Sequence, residues 1–480
     1  VCSSDLISDL LTTQVAKLTA SQIGALTSNE ARALTTSQVQ GLTSAQVNAL
    51  TTSNLAALQT QQVASLSTTQ LDGLATAGAV ALTTAQVQAL STAQLQKLNT
   101  TAVSNLKTSQ VIAMLTAQVN ALTQAQVQNL STQQVNALLT SQVQALSTDQ
   151  VGYLSSAQVK NLTTAQLQTL SSSQITHVSS SGLTQLSTAQ VVALTTESVS
   201  ALTDAQVIGL VTAQVSALLT SQVAALSTSS IVALEDADLS ALTTVQMRAL
   251  SSGQLQALSA GDVALLSTTQ ASSLTGVQVA ALTTDQVQAL TTLQVSNLTP
   301  DQVSSFTTDQ LAKLENIDVA ALQASQFVTV TANQVGAFTT SQISQLTTSV
   351  VAGLTDTQLG ALTTSQLSNM TTTQLDAFSA AKITALSSAQ VGGLTAAQLE
   401  HLSTTQVRAI ETADLSALTT TKLNALSTTQ FNALTSSQVV NLTVSQVSNL
   451  ETADLAALST NNVTQLLKAQ VEALTTGEIK

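Results

Sequence analysis

The side chains that could carry acid–base, nucleophilic or metal chemistry are few and stand far apart in this sequence. The two histidines are His177 and His401, the only tyrosine is Tyr153, and the only cysteine is Cys2. A general base needs a partner within hydrogen-bond reach, and a structural zinc site needs about four ligands. No such grouping surrounds these residues. We therefore predict no catalytic, cofactor-binding or metal-binding residue, and no enzymatic activity.

Four acidic pairs are the second place where chemistry could reside. In each pair a Glu is followed three residues later by an Asp, and the pairs begin at Glu235, Glu315, Glu411 and Glu451. Paired carboxylates suit calcium, which prefers oxygen ligands. Calcium sites usually gather more carboxylates than two, so we favour a variant helix cap whose Asp faces the positive end of a helix dipole. Binding of a cation is the alternative.

The chain is acidic overall, with 25 acidic residues against 12 basic ones and a net charge of -13. Nucleic acids and anionic membrane surfaces both attract basic proteins, so this balance argues against either as a partner. The sequence also lacks a run of roughly eighteen apolar residues, the length that a membrane-spanning helix needs. We predict no membrane insertion.

The elements that would position any of these side chains repeat every eight residues. Every eighth residue from Leu10 to Leu474 is apolar and nearly always Leu, and we call this set the Leu row. Every eighth residue from Val15 to Ile479, the Val row, is apolar as well. Neither row contains a charged residue, which predicts that both rows are buried. The consensus octad is Leu-Thr-Thr-Ala-Gln-Val-Gln-Ala, numbered one to eight, and residues 82–89 show it.

The octad carries the signature of a helix start. Thr or Ser at position two, followed three residues later by Gln, is the capping-box pattern. Positions one and six are then the two apolar places of a hydrophobic staple. The only proline, Pro300, stands at position three, the first helical place and the one that suits proline best. The octad therefore predicts a short helix that begins at position three.

A single continuous helix is excluded, because eight residues at about 100° each turn the apolar face by about 80° per octad. The chain must break and restart in every octad, and such short helices hold only when neighbours stack on them. We predict an all-α solenoid of very short capped helices, one per octad. A β-solenoid is the alternative, since Val and Thr favour strands, but the 16 glycines occupy no fixed position for its corners. A disordered linker, the third possibility, would not exclude charge from two rows.

Two segments follow from the register. Residues 1–9 precede the repeat, and the first six resemble a translated sequencing-adapter remnant of the kind found in metagenomic assemblies. We expect this segment to be an artefact and the chain to be a fragment. Residues 10–480 are expected to form one continuous octapeptide-repeat solenoid.

The octads, for example residues 82–97 and 282–297, resemble repeat arrays in very large proteobacterial proteins that are often labelled as surface, adhesion or haem-utilisation proteins. The resemblance covers the chain from Leu10 onward. It implies a bacterial, extracellular or cell-surface location and carries no functional residue across. The two solitary histidines offer no haem-ligand pattern.

The functional expectation is a structural spacer or stalk of a cell-surface or secreted protein that supports adhesion. The alternative is a repetitive Ser and Thr surface that binds a lattice or polymer, such as ice or a polysaccharide. The partners expected on these interpretations are a surface polysaccharide or another cell-surface ligand, and further copies of the chain in lateral or end-to-end self-association.

Overall fold

Each octad contains a helix of four to six residues, and the six-residue helices are followed directly by two extended residues. In the octad at residues 82–89, the cap residue Thr83 has φ −71° and ψ 162°, and Leu90, which ends the helix, has φ −64° and ψ 135°. Within the described residues no backbone has positive φ and no peptide bond is cis. The corners are therefore built from ordinary extended residues, which explains why glycine has no fixed place in the repeat.

The structure is a computed structural model that describes residues 3–474, with side chains from Leu6 onward. Val1, Cys2 and Ile479 lie outside the described residues. The described part of the chain forms 59 α-helices and no strand. The predicted all-α fold with one short helix per octad is confirmed, and the β-solenoid alternative is wrong.

The chain divides into two compact units, Val1–Leu242 and Thr243–Lys480. The helices of the first unit are α1 Ser3–Ser8, α2 Thr12–Val15, α3 Ala20–Gly24, α4 Ser28–Ala33, α5 Thr36–Gln40, α6 Ser44–Ala49, α7 Thr52–Ala57, α8 Thr60–Ala64, α9 Thr68–Asp72, α10 Thr76–Ala81, α11 Thr84–Ala89, α12 Thr92–Leu95, α13 Thr100–Asn105, α14 Thr108–Ala113, α15 Thr116–Asn120, α16 Gln124–Asn129, α17 Thr132–Ala137, α18 Thr140–Gln144, α19 Thr148–Gly152, α20 Ser156–Lys160, α21 Thr164–Gln168, α22 Ser172–Ile175, α23 Ser180–Leu183, α24 Thr188–Val192, α25 Thr196–Ser200, α26 Asp204–Ile208, α27 Thr212–Ala217, α28 Thr220–Ala225, α29 Thr228–Val232 and α30 Asp236–Ala241.

The helices of the second unit are α31 Thr244–Ala249, α32 Ser252–Ala257, α33 Ala260–Leu265, α34 Thr268–Ser273, α35 Gly276–Ala281, α36 Thr284–Gln288, α37 Thr292–Ser296, α38 Pro300–Ser305, α39 Thr308–Lys313, α40 Asn316–Ala321, α41 Ala324–Phe327, α42 Ala332–Ala337, α43 Thr340–Ile343, α44 Thr348–Gly353, α45 Asp356–Gly360, α46 Thr364–Ser368, α47 Thr372–Asp376, α48 Ala380–Thr384, α49 Ser388–Gly393, α50 Ala396–His401, α51 Thr404–Ala409, α52 Thr412–Ala417, α53 Thr420–Leu423, α54 Thr428–Ala433, α55 Ser436–Val440, α56 Val444–Val447, α57 Thr452–Ala457, α58 Thr460–Val463 and α59 Lys468–Glu472.

Within each unit, helices pack against the third helix before and the third helix after them. Helix α11, for example, packs against α8 and α14, and α39 packs against α36 and α42. One turn of the coil therefore contains three octads, or 24 residues. The sequence does not give this number, because every octad has the same pattern whichever neighbour it meets.

The core is built from the two predicted apolar rows. Every member of the Val row from Val15 to Val447 is buried, and so is every member of the Leu row from Leu34 to Leu458 except Leu234. Each octad thus contributes two apolar side chains to the interior of the coil. None of the helices between residues 3 and 474 has the length and apolar character needed to cross a bilayer.

The segment that precedes the repeat also takes part in this packing. Helix α1 packs against α4, and the side-chain amide of Gln38 donates to the carbonyl oxygens of Ile7 and Leu10 at 3.0 and 2.7 Å. Ile7 stands eight residues before Val15, so it extends the Val row by one octad. The expectation that residues 1–9 are artefactual, and that one solenoid runs without interruption from 10 to 480, stays a prediction.

Candidate functional site

The isolated polar residues at position eight are spread over the surface. His177 and His401 are exposed, and Tyr153 is half-buried. The Nδ1 atom of His177 lies 2.8 Å from the carbonyl oxygen of Ser173, one helical turn before it. Asn161, at the same position in another octad, donates in the same way to the carbonyl oxygen of Ala157 at 2.8 Å. The position-eight side chains therefore make local helix contacts.

No metal-binding cluster is present in the part of the chain that the structure describes. Between residues 3 and 474, no three or more His, Cys, Asp or Glu side chains converge as metal ligands would. The prediction that the chain has no catalytic, cofactor or metal residue stays a prediction.

The capping box forms as the sequence predicts. In α11 the hydroxyl of Thr83 accepts from the backbone N–H of Gln86 at 3.2 Å, and Oε1 of Gln86 accepts from the backbone N–H of Thr83 at 2.7 Å. Where position two is apolar, the Gln half of the box persists. The backbone N–H groups of Leu115, Leu139 and Leu219 still donate to the Gln three residues on, at 2.7, 2.8 and 2.8 Å. The Gln is thus the more constant member of the box.

The sequence analysis missed a second role of this Gln, which makes it a third buried row. Gln86 is only 1% exposed, and its Nε2 donates to the carbonyl oxygens of Leu55 and Leu58 at 2.9 and 2.6 Å. Both acceptors lie in the preceding turn, at the C-terminal end of α7. The last carbonyl groups of a helix lack partners within that helix. One side chain therefore caps the start of its own helix and the end of another.

The Gln row, every eighth residue from Gln14, repeats this arrangement along both units. Gln166 donates to Leu138 at 2.7 Å in the first unit, and Gln398 donates to Met370 at 2.8 Å in the second. The signal in the sequence was the scarcity of Glu in this row. A capping box accepts Glu and Gln alike, but only Gln carries the N–H₂ donor that the preceding turn requires.

Several substitutions in the Gln row keep a hydrogen-bond donor. Asn54 and Asn462 donate Nδ2 to the carbonyl oxygens of Leu26 and Leu434, both at 2.7 Å. Lys382 and Lys422 donate Nζ to the carbonyl oxygens of Leu354 and Gly392. In these octads a different side chain supplies the donor that Gln supplies elsewhere, and it reaches a backbone carbonyl group of the preceding turn.

The four acidic pairs place a carboxyl group in this row. Their Glu residues occupy the cap position and make no side-chain cap hydrogen bond. Their Asp residues occupy the Gln row, and all four are buried: Asp238, Asp318, Asp414 and Asp454. The Asp therefore faces the preceding turn as well as the start of its own helix, which the sequence interpretation did not include.

Burial raises the pKa of two of these four carboxyl groups. Burial raises the pKa of Asp454 to about 6, with a smaller contribution from the nearby Glu451. Burial also raises the pKa of Asp318, against the lowering effect of a hydrogen bond from Thr292, and Glu315 raises it further. Desolvation disfavours the charged form of a carboxyl group, and a neighbouring negative charge does the same.

Comparison with known proteins supports the repeat. Six segments of the chain match the ALTTAQ repeat, at residues 31–60, 55–92, 231–268, 368–404, 407–444 and 447–480. No curated protein is significantly similar to the chain. The chain is therefore a repeat protein of short helices, and the matched segments fall in both of its units.

Proposed function

We propose that this chain is a structural spacer or stalk within a bacterial cell-surface or secreted protein. The observation that supports this proposal is the uniformity of the contacts. Within each unit the helices pack on the third helix along in either direction, and the same Gln-to-carbonyl hydrogen bond recurs at the same spacing of 28 residues. Such an array supplies length in equal steps, which is what a spacer requires.

The proposal is tested by deleting whole octads one at a time along the chain. Each deletion should leave a folded protein whose end-to-end distance falls by the same small amount, because every octad makes equivalent contacts. Small-angle scattering and fluorescence energy transfer between labelled ends would measure this. In the native host, surface display or adhesion should depend on the number of octads. If one particular octad proved indispensable while others of equal size did not, the spacer proposal would be wrong.

The lattice-binding alternative makes a different prediction. Ice or a polysaccharide would be bound by regularly spaced hydroxyl groups, but the position-two hydroxyl is already engaged in the helix cap, as Thr83 shows. We therefore expect no thermal hysteresis in solutions of the purified chain. A concentration-dependent hysteresis gap would favour the lattice-binding alternative.

A further inference from the structure

The acidic octads can be compared directly with octads that carry Asn in the same row. In Asn462, Oδ1 accepts a hydrogen bond from the hydroxyl of Ser436 at 3.0 Å, and Nδ2 donates to the carbonyl oxygen of Leu434 at 2.7 Å. Asn54 makes the same two contacts, with the hydroxyl of Ser28 at 3.3 Å and the carbonyl oxygen of Leu26 at 2.7 Å. One side-chain atom thus accepts from the hydroxyl 26 residues earlier, and the other donates to the carbonyl 28 residues earlier.

Asp318 reproduces the first of these contacts. Its Oδ1 accepts from the hydroxyl of Thr292 at 2.8 Å, again 26 residues earlier. Asp and Asn have the same shape, so by analogy with the Asn octads Oδ2 would take the place of the amide nitrogen, opposite the carbonyl oxygen of Leu290. An ionised carboxylate has no proton to donate there, and two oxygen atoms would face each other inside the coil.

Asp414 shows the consequence in a second octad. Its Oδ1 accepts from the hydroxyl of Ser388, also 26 residues earlier. Its Oδ2 is buried and has no hydrogen-bond partner. A buried acceptor without a hydrogen-bond partner destabilises the folded chain.

No positive charge from the neighbouring helices offsets the charge of Asp318. Helix α40, which contains it, packs against α37 and α43, and neither of these helices contains a charged or titratable residue. The one charged group near it on its own element is Glu315, which has the same sign. Burial and Glu315 both favour the neutral acid, while the hydroxyl of Thr292 favours the ionised form.

We propose that protonation of Asp318 controls the contact between two turns of the coil. The protonated carboxyl group donates a hydrogen bond to the carbonyl oxygen of Leu290, and the contact between α37 and α40 weakens when that proton leaves. No covalent step is involved. The proton is exchanged with solvent, and the Oδ2–H···O bond forms or breaks with it. Asp414 shares the first contact, since its Oδ1 also accepts from a hydroxyl group 26 residues earlier.

A calcium ion is a poorer occupant of the same place. In the Asn octads the donor and the carbonyl oxygen are 2.7 Å apart. A proton shared between two oxygen atoms fits that distance. Calcium takes about six to eight oxygen ligands, and each acidic pair supplies only two carboxylates.

The test compares Asp318→Asn with the unaltered full-length chain by hydrogen exchange and mass spectrometry. Peptides covering α37 and α40 are followed at several values between about pH 4 and about pH 8, and the variant is compared with the wild type at the same pH. Asn donates at every pH, whereas Asp donates only when protonated. Near pH 8 we therefore expect exchange in the variant to be about tenfold slower or more, because the ionised Asp has no proton to donate to the carbonyl oxygen of Leu290. The difference should shrink as the pH falls, because the carboxyl group then becomes protonated.

Two further variants sharpen the result. Asp309→Asn removes an exposed carboxylate at the start of α39 and is the matched control. It should give no pH-dependent difference. Glu315→Gln removes the like charge beside Asp318, so the loss of protection should move to lower pH.

Several outcomes would overturn the proposal. If the ratio of the exchange rate in Asp318→Asn to that in the wild type stayed constant across the pH range, no proton would be involved. Loss of folding in Asp318→Asn would also overturn the proposal, because Asn54 and Asn462 show that Asn fits this row. If millimolar calcium chloride slowed exchange in the wild type and not in Asp318→Asn, the carboxylate would be binding a cation and not a proton.

Discussion

At the scale of single residues, the buried Gln is the most informative side chain of the repeat. Its carbonyl oxygen satisfies the cap N–H of its own helix, and its N–H₂ group satisfies carbonyl groups of the preceding turn, as Gln166 shows with Thr163, Val135 and Leu138. Both ends of short helices leave backbone groups without partners. In a helix of five residues nearly every backbone N–H and C=O group belongs to one of the two ends. One side chain that bonds to the start of its own helix and the end of another therefore stabilises the array strongly.

This role predicts an unequal response to Glu. Gln166→Glu keeps the oxygen that accepts from Thr163 but removes the donors and places a negative charge beside the carbonyl oxygens of Val135 and Leu138. We expect it to lower the free energy of unfolding by at least about 1–3 kcal/mol at neutral pH. Gln168→Glu, an exposed change in the same helix, should alter stability by no more than about 0.5 kcal/mol. Urea denaturation would measure both, and equal losses would contradict the bridging role.

The acidic octad near the end of the described chain gives a pH prediction of its own. The pKa of Asp454 is raised to about 6 in the folded chain, above its ordinary value of 3.8. The folded chain therefore binds more protons than the unfolded chain between about pH 4 and pH 6, and stability must fall as the pH rises through that window.

Side-chain carboxyl NMR would follow this titration directly. We expect a midpoint near 6 for Asp454, and a lower midpoint in Glu451→Gln, because the like charge is removed. The exposed Asp376 is the matched comparison, and Asp376→Asn should leave the Asp454 midpoint where it is. A midpoint for Asp454 that did not respond to Glu451→Gln would show that Glu451 does not act on it.

At the scale of the element, each helix is defined by its extended corner. The residue at position two holds the extended conformation, as in Thr283 with φ −71° and ψ 159°, and this conformation also suits a residue that precedes proline. Helix α38 is an example, because Pro300 is its first residue and Thr299 is its cap residue. Octads without proline therefore have a corner conformation that also accepts proline at position three.

Proline substitution should accordingly depend on position within the octad. Thr284→Pro places proline at the first residue of α36 and should cost little. Gln288→Pro places it at the last residue of the same helix, where it removes a helical N–H and clashes with the preceding turn, at a cost of about 3 kcal/mol or more. Thermal unfolding followed by circular dichroism would compare them. Equal shifts in the melting temperature would contradict the assigned register.

At the scale of the whole molecule, each unit is a stack of three-octad turns whose contacts are local along the coil. Helices contact others one turn away, at a spacing of three octads. Stability in such arrays is approximately a sum over repeats and their neighbour interfaces. Register then matters more than length, since every row must meet the matching row of the next turn.

Deletions should show this dependence on register. Removing residues 122–137, two complete octads, keeps the Leu, Val and Gln rows in phase and should leave a folded, shorter chain. Removing residues 122–125 puts the rows out of phase across the junction and should disrupt the turns on either side, although four times fewer residues are lost. Hydrogen exchange around the junction would measure the difference. Equal protection in the two deletions would contradict the register requirement.

The local structure follows from the order of the amino acids alone. The Thr-to-Gln spacing, the two charge-free rows and Pro300 were sufficient to predict a short capped helix in every octad, because capping and burial are set by neighbours within eight residues. Which octads contact one another became clear from the three-dimensional packing of the helices. The period of eight is the same for any number of octads per turn, so neither the three-octad turn nor the partner of the Gln amide could be deduced. The acidic pairs show the same limit, since Asp318 and Asp414 acquire their unusual setting from a carbonyl group that lies 28 residues away.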